Sequence, residues 1–289
     1  MELRQLRYFI KAKELLNFTE AADQLFISQS TLSQQIKQLE DELGTPLFNR
    51  VGRRVHLTEA GILFYDYALQ CVHKANDGYQ MLKDLNNLQT GELIIGTTFG
   101  LRHILKPAVL EFSKRFPHVQ IQIIFGTSIE LIGCLSNFEL DFVLTFEDND
   151  IHDEMKYQPL FTSELGLIAA KKSPIASRNS ISIKDIKSLP IALPAQGFST
   201  RRFIDDVFKT NSISPQIKLQ INDIPMLLEL VETGHWYTIL SKTSVSSQQN
   251  LVCVPIQSVD TLQQAGILSL KGIYQKQAVK AFLDLLLKK

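Results

Sequence analysis

The fold of the N-terminal part of this chain is decided by residues 18–61, which read FTEAADQLFISQSTLSQQIKQLEDELGTPLFNRVGRRVHLTEAG. Thr19 is predicted to cap a short helix, TEAADQLF, in which Ala21 and Ala22 are small enough to let a second helix approach closely. Ser28 follows a short turn and is predicted to cap the next helix. The segment therefore predicts two helices joined by a tight turn.

The second predicted helix has one apolar face and one polar face. Apolar residues recur at spacings of four, three and four, at Leu32, Ile36, Leu39 and Leu43. This pattern predicts a buried face. Before Glu40 the other face holds hydrogen-bonding side chains and no acid: Gln29, Ser30, Ser33, Gln34 and Lys37. Such side chains can contact base edges in a DNA major groove, although an ordinary helical hairpin with solvated charges has the same pattern.

A basic hairpin is predicted next, over LFNRVGRRVHL at 47–57, with Val51 and Gly52 at its tip. Arg50, Arg53 and Arg54 flank the tip, and the segment contains no acid. The whole chain has 30 basic and 30 acidic side chains, so its net charge does not indicate a nucleic-acid partner. Clustered arginines at a loop do, because they suit DNA phosphates or a narrow minor groove.

The composition indicates a protein with two or three domains of ordinary size, since the chain has 289 residues. It has no apolar run near the roughly 20 residues that cross a bilayer. Its first residues, MELRQLRYFIKAKELLNF, lack the features of a signal peptide. Cys71, Cys134 and Cys253 form no CxxC pair. We therefore expect a cytoplasmic protein with no membrane partner, metal or cofactor.

Residues 1–61 closely resemble the signature of the LysR-type transcriptional regulators, in order and without gaps. The resemblance implies a winged helix-turn-helix domain over residues 1–58 that binds DNA. Its expected DNA contacts are Thr19, Ser28, Gln29, Ser30, Thr31, Ser33, Gln34, Lys37, Arg50, Arg53 and Arg54. Many members have proline where this chain has Ser30, and arginine where it has Gln34. We therefore expect an individual target sequence, with more of the affinity coming from the wing.

A long linker helix is predicted over residues 59–88, which contain no proline. A heptad-like seam runs along it at Phe64, Ala68, Cys71, Ala75, Gly78, Leu82 and Leu85. The seam is compatible with packing on the helix's own domain. In the LysR family this helix pairs antiparallel with its twin, so the resemblance implies a homodimer or homotetramer.

The rest of the chain has a different sequence pattern, in which nine short runs rich in Ile and Val have helical segments between many of them. This alternation predicts α/β architecture, with parallel sheets and helices on both faces. Nine strands are more than one compact sheet usually needs, which favours two lobes.

Three segments of this half resemble the LysR-type effector domain, a fold similar to type-2 periplasmic binding proteins: GELIIGTT at 91–98, FELDFVLTFE at 138–147 and LVETGHWYTILS at 230–241. The resemblance implies an effector-binding domain over residues 89–289. Lobe I would comprise about 89–161 and 265–289, and lobe II about 162–264. A small-molecule effector would bind between them.

Turns from strand to helix offer the candidate effector contacts, because hydroxyls and backbone N–H groups at helix N-termini bind anions. They are Thr97, Thr98, Phe99, Gly100, Thr127, Ser128, Phe198, Ser199 and Thr200. Each hydroxyl can equally be a helix cap. GFSTR and GHWYTILS resemble a subgroup that includes the cyanate-responsive regulators, which favours a small anion such as a carboxylate. Arg102, Arg201 and His103 are candidates to complement its charge, or else solvated surface residues.

Three other functions are disfavoured. An enzyme is not expected, because the chain has no GxSxG, HExxH, P-loop or GxGxxG motif. A thiol-based redox sensor is not expected either, because the chain lacks the cysteine pair of the family's peroxide-sensing branch. A periplasmic ligand-binding protein would not need the DNA-binding module. We therefore expect a regulator that binds an inverted-repeat operator as double-stranded DNA and alters recruitment of RNA polymerase.

Overall fold

The computed structural model comprises two compact units, Met1–Asn86 and Asn87–Lys289. It describes residues 1–51, 54–85, 91–147, 152–257 and 260–287. Within these ranges, no helix is both long and apolar enough to span a bilayer.

The N-terminal unit is a small helical domain with a hairpin and a long final helix. Its elements are α1 (Leu3–Leu15), α2 (Phe18–Gln24), α3 (Gln29–Leu43), β1 (Phe48–Val51), β2 (Arg54–Leu57) and α4 (Glu59–Asp84). Phe9 is fully buried at its centre, and the Phe9 ring centroid lies 5.5 Å from those of Phe48 and Phe64. Leu3 and Leu16 are each 45% exposed, because they lie at the two ends of α1.

Asn17, rather than Thr19, caps α2. The Asn17 Oδ1 accepts the backbone N–H groups of Thr19 and Glu20, at 3.1 and 3.3 Å. The predicted cap is therefore wrong, because an amide side chain two residues earlier already closes the first turn. Thr19 is an exposed residue of that turn. Leu25 and Phe26 belong to the turn that follows α2.

The N-terminal half of α4 packs on its own unit. Tyr65 and Ala68 are 7% and 1% exposed, respectively, and Phe64 packs against the same core. The predicted seam is therefore wrong at Phe64 and Ala68, where packing on the helix's own domain is correct. Another face of α4 exposes an apolar stripe, which we define as Leu63, Tyr67, Cys71, Leu82 and Leu85.

The C-terminal unit alternates strands and helices. In order they are β3 (Gly91–Thr97), α5 (Arg102–Arg115), β4 (Val119–Phe125), α6 (Ser128–Ser136), β5 (Phe142–Phe146), β6 (Met155–Ala170), β7 (Ile181–Ser182), α7 (Ile183–Ile186), β8 (Ile191–Pro194), α8 (Ser199–Thr210), β9 (Ile217–Ile221), α9 (Ile224–Glu232), β10 (Thr238–Ser241), β11 (Leu251–Gln257), β12 (Leu262–Leu270) and α10 (Gln277–Leu287). The nine predicted strands are present. β7 and the first half of β6 were not predicted, because β7 is very short and Pro159 interrupts an otherwise strand-like run.

The main sheet is mixed, with the order β4-β3-β5-β12-β6-β11-β7 and with β10 also paired to β6. β3 is parallel to β4 and β5, whereas β6 is antiparallel to β10, β11 and β12. The prediction of parallel pairing is therefore wrong around β6. The spacing of strands and helices along a chain does not specify which strands become neighbours.

Two lobes share this sheet, and β6 and β12 run between them. One half of β6 pairs with β12 beside an apolar core that contains Phe112, Phe142 and Phe282. The other half pairs with β10 and β11, beside separate apolar clusters that include Leu167 and Leu227. The carboxyl ends of β3 and β4 in the first lobe and of β8 and β9 in the second lead into helices, which is where ligands of α/β folds bind.

Candidate functional site

The helix α3 exposes a row of polar side chains. Ser28 caps it, as predicted, since the Ser28 Oγ accepts the Thr31 N–H at 3.1 Å. Its buried face consists of Leu32, Ile36 and Leu39, each at most 2% exposed. The other face, which we call the polar ridge, consists of Ser28, Gln29, Ser30, Thr31, Ser33, Gln34 and Lys37; all are exposed except Ser33, which is half-buried. The predicted division into two faces is confirmed, except that Leu43, which was predicted in the buried face, is half-buried at the end of the helix.

Hydrogen bonds within the polar ridge are local. The Gln29 Nε2 donates to the Ser33 Oγ at 2.7 Å, and the Ser28 Oγ lies 2.8 Å from the Ser30 Oγ. The Lys37 Nζ lies 2.7 Å from an Asp41 carboxylate oxygen, whose hydrogen bond and charge raise the pKa of Lys37. Exposed hydrogen bonds of this kind compete with bonds to water, so the ridge can exchange them for bonds to a bound partner.

The hairpin packs against the end of α3. The Glu40 Oε1 accepts the backbone N–H groups of Leu47 and Phe48, at 2.8 and 3.0 Å. β1 and β2 pair antiparallel, from Phe48 opposite Leu57 to Val51 opposite Arg54. Arg50 and Arg54 belong to these strands, but their side chains, and Arg53 as a whole, lie outside the described residues. The basic tip therefore stays a prediction.

Phe26 is a feature that sequence reasoning missed. It lies in the turn before the polar ridge, with a φ of 56° and a side chain that is 95% exposed. A bulky residue rarely adopts positive φ, and an exposed phenyl ring forgoes burial. The ring places an apolar surface two residues before Ser28, of the kind that contacts thymine methyl groups in DNA.

In the C-terminal unit, two of the predicted hydroxyl turns meet directly. The Ser128 Oγ at the start of α6 lies 3.0 Å from the Ser199 Oγ at the start of α8. It also accepts the Ser199 backbone N–H at 3.1 Å and lies 3.2 Å from the Thr145 Oγ1. We call the Ser128–Ser199 pair the serine bridge; it joins the two lobes. α8 begins at Ser199, two residues before the predicted start near Arg201.

The turn after β3 is buried. Thr97 and Thr98 are 0% and 5% exposed. The Thr97 Oγ1 donates to the Thr98 carbonyl at 3.2 Å, whereas the Thr98 Oγ1 has no hydrogen-bond partner among the described residues. A Cβ on Gly100 would lie 3.0 Å from the Phe146 ring, so the lack of a side chain there serves packing.

Thr127 acts as a helix cap, the alternative that the sequence left open. Its N–H and Oγ1 donate to the Glu130 Oε2 at 2.9 and 2.8 Å, and its Oγ1 accepts the Glu130 N–H at 3.2 Å. These bonds to Thr127 hold the pKa of Glu130 below its ordinary value. Thr200 is half-buried, and its Oγ1 donates to the Gln263 Oε1 at 3.4 Å.

A cavity of about 480 Å³, which we call the mouth cavity, opens where the predicted turns meet. Phe99, Thr127 and Phe198 line it, together with residues that were not in the predicted set: Arg102, Phe125, Gly126, Glu130, Asn222, Asp223, Ile224 and Pro225. The Arg102 guanidinium carbon lies 5.0 Å from the Phe99 ring centroid. Arg102 forms no ion pair with any residue that the structure describes.

Arg201 is neither a ligand contact nor a solvated residue, so both predictions for it are wrong. It is 4% exposed, and its Nε lies 2.9 Å from an Asp205 carboxylate oxygen. Its Nη1 donates to the Pro194 carbonyl and the Gln220 Oε1, at 2.7 and 2.8 Å. It therefore anchors α8 to β8 and β9. The half-buried His103 places its Nδ1 3.2 Å from the Gly100 carbonyl oxygen.

Cys134 and Cys253 are less reactive than an ordinary thiol. Burial raises the pKa of Cys253 to about 11, and burial with the nearby Glu139 raises the pKa of Cys134. A thiol with a raised pKa is a poor nucleophile at neutral pH. Among the described residues, no group of three or more His, Cys, Asp or Glu side chains is arranged to hold a metal ion.

Comparisons with known proteins agree with this architecture. The family model described as "Bacterial regulatory helix-turn-helix protein, lysR family" matches residues 3–62, and "LysR substrate binding domain" matches residues 86–289. The HTH-type transcriptional regulator YwqM of Bacillus subtilis is 32% identical over 249 residues, which cover 85% of this chain and 84% of YwqM.

Two solved structures show the same fold. CbnR complexed with its target DNA has a TM-score of 0.66 at 21% identity, covering 99% of each chain. The regulatory domain of CcmR from Synechocystis PCC6803, in complex with 2-PG, has a TM-score of 0.63 at 18% identity, covering 69% of this chain and 97% of that domain. The two family models settle the classification. The chain belongs to the LysR family of transcriptional regulators, with a DNA-binding helix-turn-helix and a two-lobed domain for a small-molecule effector.

Proposed function

We propose that this regulator binds an inverted-repeat operator through the polar ridge and the arginine hairpin. In this proposal residues 1–58 bind DNA, residues 59–88 dimerise, and residues 89–289 bind the effector. The polar ridge is the observation that supports it best. Its side chains lie on one exposed face of α3 with no acid among them, while Leu32, Ile36 and Leu39 hold the opposite face in the core.

The polar ridge and the arginine hairpin would have different roles in DNA binding. Gln29 and Gln34 can each donate and accept, which suits adenine, and Ser30 and Ser33 suit either phosphate or base. Thr19, Ser28, Thr31 and Lys37 would contact the phosphate backbone near the ridge. Arginines at the hairpin tip would supply sequence-independent affinity.

Selection from random DNA tests this proposal. The full-length protein should enrich one family of sequences, and each should contain two half-sites related by a dyad, because a two-fold protein dimer demands two-fold symmetry in the DNA. Sequencing after several rounds of capture measures the enrichment. A set of captured sequences without a shared motif, or with a single half-site only, would contradict it.

We propose further that a small anion binds in the mouth cavity. Arg102 faces this cavity without a carboxylate partner in the described part of the chain. The negative charges of the cavity's two carboxylates are partly offset by helix N-termini, since Glu130 accepts from Thr127 at the start of α6 and Asp223 accepts the Met226 N–H at 2.8 Å at the start of α9. An anion beside Arg102 would face the Phe99 ring, which favours a carboxylate with an apolar body. The 2-PG complex of the similar CcmR regulatory domain supports a small-molecule effector.

The apolar stripe of α4 supports assembly as a homodimer or homotetramer. Tyr67 and Leu82 on this stripe are 68% and 58% exposed, which is costly for large apolar side chains unless a second copy covers them. Leu82→Glu should raise the dimer dissociation constant about tenfold or more, because it would bury a charge without a partner. Analytical ultracentrifugation measures this constant.

Asn76→Asp is the matched control, since Asn76 is exposed on the face of α4 opposite the stripe, where its Oδ1 accepts from the Arg7 Nη2 at 3.2 Å. It introduces the same charge and should leave the dissociation constant unchanged. If both variants weaken assembly equally, the charge of the helix matters rather than the stripe.

We infer that the protein works by binding alone, without a catalysed reaction, in the cytoplasm. Its relatives are named as transcriptional regulators, and their mode of action would be to alter recruitment of RNA polymerase at a promoter. In vitro transcription with the selected operator, with and without effector, tests this step. No change in transcript level under either condition would contradict it.

A further inference from the structure

A second cavity, of about 440 Å³, lies on another side of α8. We call it the hinge cavity, because its walls come from α8 in the second lobe and from β12, one of the two strands that run between the lobes. Ser199 of the serine bridge lines it, as does Gln263 of β12. Arg102, Glu130 and Phe99, which define the mouth cavity, do not line it.

Gln263 is the first sign of a ligand. Its side chain lines the cavity, although the residue is only 4% exposed. The Gln263 Oε1 accepts from the Thr200 Oγ1 at 3.4 Å, while the amide nitrogen has no partner in the described part of the chain. Because Gln263 lines the cavity, its unused amide donor is available to an oxygen acceptor of a bound molecule.

The charges around the cavity are the second sign. Among the described residues, Glu147, Asp206 and Asp260 line it with three carboxylates, and Arg202 lines it with one guanidinium. This excess of negative charge favours a cation and disfavours the bare anion proposed for the mouth cavity. Phe203 adds an apolar wall between the charged groups.

We propose that the hinge cavity binds a free amino acid. Its ammonium group would lie near Asp206 and the two other carboxylates, and a carboxylate oxygen would accept from the Gln263 amide. The side chain of the amino acid would pack against Phe203. A cavity of this volume admits such a molecule. Binding follows from this cavity alone, whereas a regulatory effect of binding would rest on the proposed function of the effector domain.

The position of the cavity links it to the mouth cavity. Phe198 lines the mouth cavity, and the next residue, Ser199, lines the hinge cavity and donates to Ser128. A ligand on either side therefore contacts the same N-terminal turn of α8. Any change that the amino acid causes in anion affinity must be matched by the reciprocal change in its own affinity.

Thermal unfolding of the full-length protein tests the proposal, with each of the twenty L-amino acids added separately at millimolar concentration. At least one amino acid should raise the midpoint of thermal unfolding. Its des-amino analogue, which keeps the carboxylate and the side chain, should leave that midpoint unchanged. Isothermal titration then gives the dissociation constant. Asp206→Asn should raise this constant about fivefold, and Gln263→Met about tenfold, because each loses one hydrogen bond to a charged group.

Asp185→Asn provides the matched control, since Asp185 is an exposed acid on α7 that lines neither cavity. It should bind the amino acid like the wild type. The proposal is overturned if no amino acid raises the midpoint above its des-amino analogue, or if Asp206→Asn and Gln263→Met bind as tightly as Asp185→Asn. Arg102→Gln distinguishes the two sites: it should leave amino-acid binding intact, so loss of binding there would assign the amino acid to the mouth cavity instead.

Discussion

Replacing Arg53 and Arg54 by alanine is expected to weaken binding to every DNA sequence by about 100-fold, because each arginine would lose a charge-assisted bond to phosphate. The slope of log affinity against log salt concentration should fall by about two, one for each lost phosphate contact. Fluorescence anisotropy on the selected operator and on random DNA, over a salt series, measures both quantities.

Gln29→Ala should behave differently on the same two DNAs. An amide that reads adenine contributes about 1–3 kcal/mol of discrimination, so affinity for the operator should fall while affinity for random DNA stays nearly constant. Arg4→Ala is the control for charge, since Arg4 is exposed on α1 and pairs with Glu2. If the arginine and glutamine variants both lose as much affinity for random DNA as for the operator, the proposal of separate roles for the ridge and the hairpin is wrong.

Arg102→Gln should weaken binding of the anionic effector by about 10- to 100-fold, because a charged hydrogen bond is lost from a cavity that holds two other carboxylates. A thermal-shift screen of the full-length protein against formate, acetate, benzoate, cyanate and bicarbonate identifies a ligand. Titration calorimetry then compares the wild type with the variant, and compares the best anion with its neutral amide analogue where one exists.

Arg115→Gln is the matched control, since Arg115 lies at the other end of α5 and pairs with Glu111 on the surface. Surface pairs of this kind contribute about 0–1 kcal/mol to stability, so the control should fold and bind normally. If Arg102→Gln retains full affinity, or if the neutral analogue binds as tightly as the anion, the effector binds at another site.

Local patterns along the chain predicted the DNA-binding half well. The spacing of Leu32, Ile36 and Leu39 predicted the buried face of α3, and Ser28 was recognised as its cap, because caps and periodicity depend on residues only a few positions apart. Asn17 was missed although asparagine is itself a good cap, so the signal was present. The exposure of Phe26 had no such signal, since nothing in its neighbours indicates which turn residue faces outward.

The effector half was predicted less completely. Its strands, two lobes and hydroxyl turns followed from the alternation of apolar and helical segments and from family resemblance. The burial of Arg201 could not be predicted in this way, because its partners Pro194 and Gln220 lie on two different strands. The face of α4 that stays exposed was also misassigned, because the core of the N-terminal unit covers Phe64 and Ala68.

The amino-acid sequence by itself determined the helix-turn-helix and the polar ridge, because both depend on short-range periodicity and capping. It also determined the two-lobed α/β architecture, through the alternation of apolar and helical segments and the resemblance to a known family. Only the tertiary structure decided that Ser128 meets Ser199, 71 positions away, and that Arg102 lines a cavity with no ion-pair partner among the residues that the structure describes. Such contacts depend on which strands become neighbours and on how the lobes close. The packing of distant segments decides both, and no local pattern encodes it.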